Sequence, residues 1–182
     1  AVELTAVAAD SIWIRTDEGS LSLREVTSQQ GDVNLSAQMS IIDAYDNYVV
    51  LDPALQIKPN IEASSITLAT DFGSIGELGK ELEVHTNILD DGSVVNVASA
   101  ANVFLIESIG DLLLGLVSTG TDATAFITAL TGSIYNGRAL GDNVVSGNLW
   151  LLAAANIGET LKPIATKSGS IKGAATTGSV YI

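Results

Sequence analysis

Asp43, Asp46 and Asp52 gather in one short stretch with Lys58 close behind, and Asp90 and Asp91 form a second carboxylate pair. Clustered carboxylates beside a basic group or a calcium ion are what carbohydrate-cleaving parallel β-helices use. One group gives or takes a proton while another holds the developing charge. Oxygen ligands offered from loops also suit calcium, so Asp43, Asp46, Asp52, Asp90 and Asp91 are the candidate ligands of a weak calcium site. A plainer account competes. Asp43 and Asp46 lie in a turn-like stretch, where aspartate side chains commonly bond nearby backbone. His85 is the one histidine, and a single imidazole builds neither a catalytic triad nor a histidine-rich metal site. Cysteine is absent, which removes disulfides, thiolate zinc sites and cysteine nucleophiles together. GxGxxG, P-loop and nucleophile-elbow motifs are missing. The expectation is a protein that is not an enzyme, with no catalytic residue and no cofactor beyond weakly bound calcium.

Trp13 and Trp150 each alternate with apolar neighbours, so on a strand each would point outward. An exposed aromatic on a sheet face can stack on a sugar, which makes a surface glycan a candidate partner; packing under a loop is the competing role. The pairs Glu77 with Lys80 and Glu159 with Lys162 repeat at matching places. They fit exposed turns that share the same charges, and such surface pairs usually contribute under about 1 kcal/mol.

The elements that would position these groups are short strands. VNLSA (33–37), ITLAT (66–70), LEVHT (82–86), VVNVA (94–98) and LWLLA (149–153) are strand-length, several with the period of two expected of half-buried strands. Gly, Asn, Asp and Ser punctuate the gaps, and the prolines Pro53, Pro59 and Pro163 lie between strands. The chain also repeats itself. SIWI at Ser11 returns as NVFL at Asn102 and SVYI at Ser179; SITL at Ser65 returns as NLWL at Asn148; IGELGKEL at Ile75 returns as IGETLKPI at Ile157. Ordered recurrence marks a repeat architecture. Leu35, Leu68 and Leu151 are each followed, after small residues, by Ile41, Ile75 and Ile157. An inward Leu, a tight corner and a second inward Ile make one turn of a coil. The pattern predicts an all-β fold, a right-handed parallel β-helix (β-solenoid) of about six coils and roughly 30 Å length. It is one domain over 1–182, made of two degenerate long repeats, about 1–91 and 92–182. Ile12, Val103 and Val180 are expected in one interior ladder, with Ile75 and Ile157 in another. Residues 43–60 and 107–124 break the rhythm and fit a strand with a wide turn, a short helix or a protruding loop.

The net charge of −13 is uneven: residues 1–91 hold sixteen acids and four bases, residues 92–182 five and four. An acidic surface argues against nucleic acid, whose phosphates need basic groups. No apolar run reaches the ~18 residues of a membrane helix. The start, AVELTAVAAD, has no signal-peptide pattern and resembles mid-strand sequence, as in a segment of a longer solenoid or a processed product.

Strings such as GDVNLSAQMSIID, GSIGELGKELEV, ANVFLIESIGDLLLG and GNLWLLAAANIGE resemble the degenerate repeats of large secreted bacterial proteins of the filamentous haemagglutinin and adhesin type. The resemblance spans almost the whole chain and implies a right-handed parallel β-helix. It also implies export to the cell surface or beyond, as a bacterial fibre, stalk or adhesin, and it brings no catalytic residues. The amino-terminal secretion domain of that family is missing from this sequence. The expected function is a structural or interaction segment, a rod that contacts copies of itself, adjoining coils or surface partners through its end strands. The alternative is a carbohydrate-binding or carbohydrate-cleaving parallel β-helix.

Overall fold

The computed structural model describes residues 3–44, 59–86 and 92–182, so most of the stretch 43–60, with Pro53, lies outside the described residues. The described residues contain no helix; their strands pair in parallel and stack into a β-solenoid of about 7 turns. Two faces alternate along the chain. The first carries β1 (Glu3–Ala8), β3 (Leu21–Ser28), β5 (Ile41–Asp43), β6 (Ile61–Ala63), β8 (Leu82–Thr86), β10 (Val103–Glu107) and β12 (Thr124–Ala129). The second carries β2 (Ile12–Thr16), β4 (Val33–Ala37), β7 (Ile66–Thr70), β9 (Val95–Ser99), β11 (Leu112–Ser118) and β13 (Ile134–Asn136). The longer strands β14 (Val144–Ala153) and β15 (Thr166–Ala175) start on the second face and end on the first. They cross the corner at Gly147 and Gly169, which stack where neighbouring backbone leaves no room for a Cβ.

The core forms because no coil can bury its apolar face alone. On the first face Val26, Ile61, Val84, Glu107, Ala129 and Ala153 lie in register, one per coil, all buried. On the second, Leu35, Leu68, Val97, Val117 and Val144 do the same. Each fully buried Leu, Ile or Val contributes roughly 1.5–3 kcal/mol relative to exposure. From Ile61 onward the first-face rungs are 22 to 24 residues apart. This spacing is shorter than the sequence suggests, so the same length makes about 7 turns rather than six.

Polar ladders hold the corners. The Thr124 amide donates to Asn102 Oδ1 (2.8 Å), the Asn102 amide to Ser74 Oγ (3.3 Å), and the Ser74 amide to Ser40 Oγ (3.2 Å). At another corner the Ser179 amide donates to Asn156 Oδ1 (2.9 Å), Asn156 to Ser133 Oγ (3.1 Å), and Ser133 to Asp111 Oδ1 (2.7 Å). These side chains satisfy amides that the turn removes from the sheet. The small polar residue that opens SIWI, NVFL, SVYI, SITL and NLWL is thus a corner residue, followed by an inward-facing apolar position.

This corrects the expected ladders. Ile12 stacks with Val33, Ile66 and Val95 on the second face. Val103 bridges Ile75 on the first face, and Val180 bridges Ile157 on the second. Residues expected in separate ladders are therefore direct neighbours. The repeated strings mark half-coils, so the same string serves either face. The three Leu–Ile pairs (Leu35/Ile41, Leu68/Ile75, Leu151/Ile157) are all buried, as expected of a coil corner.

The string Ile-Gly-Glu also has a structural cause. Gly76 (φ 67°) and Gly158 (φ 66°) adopt a left-handed backbone that side chains resist. A Cβ there would collide with the carbonyl oxygens of Phe104 and Tyr181, respectively. The chain leaves the sheet at these glycines and makes a small hairpin. Its two backbone bonds join Glu77 to Lys80 (3.0 Å each) and Glu159 to Lys162 (3.2 and 3.1 Å). The repeated charged pairs sit on these exposed hairpins, and residues 107–124 run from the end of β10 through β11 and a turn to the start of β12.

Candidate interaction surfaces

An outward aromatic row crosses the first face. Phe104, Phe126, Trp150 and Lys172 occupy one register position on four successive coils. The Phe126 and Trp150 rings lie 6.0 Å apart, tilted by 45°, and the Lys172 ammonium sits 4.1 Å from the Trp150 ring centre, a cation–π contact. Beside the row runs the corner ladder. Asn102 Oδ1 accepts from the next coil's backbone, and Asn148 Oδ1 accepts from the Ser170 hydroxyl at 2.6 Å. With Leu78 these groups line a groove of about 510 Å³. A larger groove of about 670 Å³, over Gly147 and Gly169, is lined by Thr, Ser and Gly with Asp122, Val145, Asn148 and Lys167. Trp13 and Trp150 both point outward as their alternation predicts, 71% and 39% exposed. Trp13 stands on the second face, in a row with Asn34 and Thr67, away from the aromatic row.

His85 and Glu107 bring a partly buried imidazole against a fully buried carboxyl. His85 Nδ1 lies 3.1 Å from Glu107 Oε1 and 3.1 Å from the Ile109 carbonyl. A carbonyl can only accept, so Nδ1 carries the proton. Glu107 also accepts from the Thr86 amide (3.2 Å) and hydroxyl (3.1 Å). The hydrogen bond to Glu107 raises the His85 pKa above its ordinary value. Burial raises that of Glu107, against the opposing pull of His85. His85 lies on a strand, as the pattern of LEVHT predicts, but its own position does not reveal its partner. The signal was the coil period: Glu107 lies 22 residues on, one coil later.

Asp43 ends β5, nearly buried, and its Oδ1 accepts from Asn60 Nδ2 at 2.7 Å. Asn60 is buried too, donating also to the Leu23 carbonyl and accepting from the Glu83 amide (2.9 Å). Asp43 thus stands at the end of a strand, bonded to the Asn60 side chain. Asp46, Asp52, Lys58, Asp90 and Asp91 lie outside the described residues. Among the described residues no group of three or more His, Asp or Glu is placed to hold a metal ion. Nor is any described helix long and apolar enough to cross a membrane.

The solenoid's ends differ from its middle. β1 and β15 each pair with a described strand along one edge only. Ile171 continues an interior ladder yet is 44% exposed. Val180 and Ile182 lie over Gly173, in contact distance of where its Cβ would be, and are themselves partly exposed. At the other end Leu4, Ala6 and Ala8 pack against the core but remain half-buried. A scan of family models and searches of curated proteins and of solved structures each found no match to this chain.

Proposed function

We propose that the chain is a structural and interaction segment of a secreted or cell-surface bacterial fibre, stalk or adhesin. It acts as a stacked rod that makes contacts through its end strands. One observation carries this reading. Among the described residues, strands in the middle pair along both edges, while β1 and β15 each pair along one edge only and carry half-exposed core residues. An open strand edge is a template for another strand. The resemblance to haemagglutinin-type repeats supports the cellular setting, and the acidic surface suits solubility between contacts. Sedimentation and negative-stain imaging of the purified chain test the reading. Concentration-dependent end-on assemblies are expected; a monomer at every concentration, cutting a polysaccharide, would overturn it.

A second reading, a glycan-binding face, is favoured by the aromatic row alone. Phe126 and Trp150 offer aromatic surface for the C–H face of a sugar that displaces Lys172 from the Trp150 ring, while Asn102 and Asn148 present amides along the same groove. The uniform spacing of strands suits an extended chain of similar sugar units. Trp150→Ala should then abolish retention of the protein on an insoluble β-linked glycan; equal retention of variant and parent would exclude this face.

A further inference from the structure

We propose that the rod stacks head to tail, β15 of one copy accepting β1 of a second copy of this chain, with the order of ends selected by charge. This inference rests on the end-stacking reading above and specifies its partner and polarity.

The first-face register aligns the two end strands. The outward row of Phe104, Phe126, Trp150 and Lys172 extends backwards through the coils. Val103 bridges Ile75 and Ile75 bridges Ile41, which places Gly76 and Ile42 in the same row; Ile42 pairs Ser22, and Ser22 pairs Glu3. One continuous row thus begins at Glu3 and ends at Lys172. The adjoining inward row begins at Ala6 and ends at Ala175, through Val26, Ile61, Val84, Glu107, Ala129 and Ala153.

The two open strands also match in length between these rows. β3 carries an irregularity where it pairs β1, between the Leu4 and Thr5 positions. It holds one extra residue between its two row positions, Ser22 and Val26. β1 (Glu3 to Ala6) and β15 (Lys172 to Ala175) do not. Set on β15 in parallel, β1 therefore places Glu3 beside Lys172 and Ala6 beside Ala175 with no bulge. The same register sets Leu4 beside Gly173, whose missing side chain is replaced by Val180 and Ile182, so Leu4 would pack against those two apolar side chains.

Charge selects this pairing over its alternatives. Residues 3–20 hold Glu3, Asp10, Asp17 and Glu18 against Arg15; residues 159–182 hold Lys162, Lys167 and Lys172 against Glu159. Opposite charges directly across a strand pair stabilise it and like charges oppose it. Head-to-head contact would bring two acidic ends together, and tail-to-tail two basic ones. Within one copy Arg24 already lies 3.4 Å from Glu3, so Lys172 of the next copy, turning from its contact over the Trp150 ring, would complete a basic–acidic–basic cluster. Arg15 at the acidic end is engaged by Asp17 at 2.6 Å and stands on the other face. A contact between unlike ends repeats from copy to copy, and stacking along the rod axis extends it into a filament rather than a ring.

The test is sedimentation of the full chain with Lys172→Glu, Glu3→Lys and their equimolar mixture. Both side chains are exposed, and unfolding curves check that each variant stays folded. Each variant alone sets like charges across the contact and should weaken association by about tenfold. In the mixture, the carboxylate introduced by Lys172→Glu meets the ammonium introduced by Glu3→Lys. The unchanged Lys172 of the second variant and the unchanged Glu3 of the first remain for the alternate contact. Association should therefore return towards the parent level. Parent association with no rescue in the mixture would overturn the polarity and leave end-stacking standing. A parent chain that never associates would overturn both.

Discussion

At the scale of the residue, Glu107 takes an interior place that Val84 fills one coil earlier and Ala129 one coil later. A buried carboxylate there is tolerated because His85 and Thr86 supply donors from the preceding coil. Removing one partner of such a pair leaves a buried polar group unsatisfied, so His85→Ala should cost about 1–3 kcal/mol in chemical unfolding. The sign of the pH effect follows from two shifts in the same direction. His85, with a raised pKa, contributes stability fully below the ordinary imidazole pKa of about 6.5; that contribution fades as pH rises through the folded value. Glu107, raised by burial, favours the folded state when protonated, and its contribution fades upward from the ordinary carboxyl pKa of about 4.3. Folded chains thus hold these protons more tightly than unfolded ones, and the stability from the pair falls as pH rises. The melting temperature of the parent minus that of the His85→Gln/Glu107→Gln double variant should decrease from about pH 5 to about pH 8. Parallel profiles would show that the pair does not titrate in this way. None of this was legible from His85 alone, because a single histidine on a strand names no partner until the coil period is known.

At the scale of the element, the strands were legible and their order in space was not. VNLSA, ITLAT and LEVHT match β4, β7 and β8 residue for residue, since alternation of inward apolar and outward polar side chains is a local property. The stacking partner of each strand depends on how many residues each corner uses. Corners here vary from the bend at Gly147 to the hairpins after Gly76 and Gly158. Equivalent strings therefore landed on different faces, and the Ile12–Val103–Val180 ladder gave way to Ile75–Val103 and Ile157–Val180. The Ile-Gly-Glu string was visible as a repeat, but its cause lies in a neighbour one coil away, the carbonyl of Phe104 or Tyr181. Substituting Gly76 or Gly158 by Ala demands both a left-handed backbone and a displaced strand, so each should lose more than about 1 kcal/mol. Gly19, also left-handed (φ 78°) but with nothing near its Cβ, should lose about 1 kcal/mol or less when made Ala. Equal losses at all three positions would remove the role given to the next coil. Asn102→Ala, which withdraws the acceptor from the Thr124 amide, should cost about 1 kcal/mol in the same unfolding measurement.

At the scale of the whole molecule, stability in a stacked fold is close to a sum over neighbouring coils, so a coil with one neighbour is held less firmly than a coil with two. β10 pairs β8 on one side and β12 on the other, and its inward side chains are buried. Among the described residues β15 pairs β14 alone, and it is exposed along most of its length. In dilute protein, amide exchange should therefore be slowest in β8, β10 and β12 and fastest at β1 and β15, because local opening at the ends breaks one interface rather than two. Head-to-tail stacking changes that order in a defined way. It gives β1 and β15 their second neighbour and leaves the central coils as they were. Raising the concentration should slow exchange at both end strands together while the exchange of β10 stays constant. Protection that spread instead over the aromatic row of Phe104, Phe126 and Trp150 would place the contact on the side of the rod. Protection of β15 without β1 would mean contact between like ends. The charge contrast between the ends, one acidic and one basic, makes the paired outcome the expected one, and it makes the effect weaken as salt screens the Lys172–Glu3 contact.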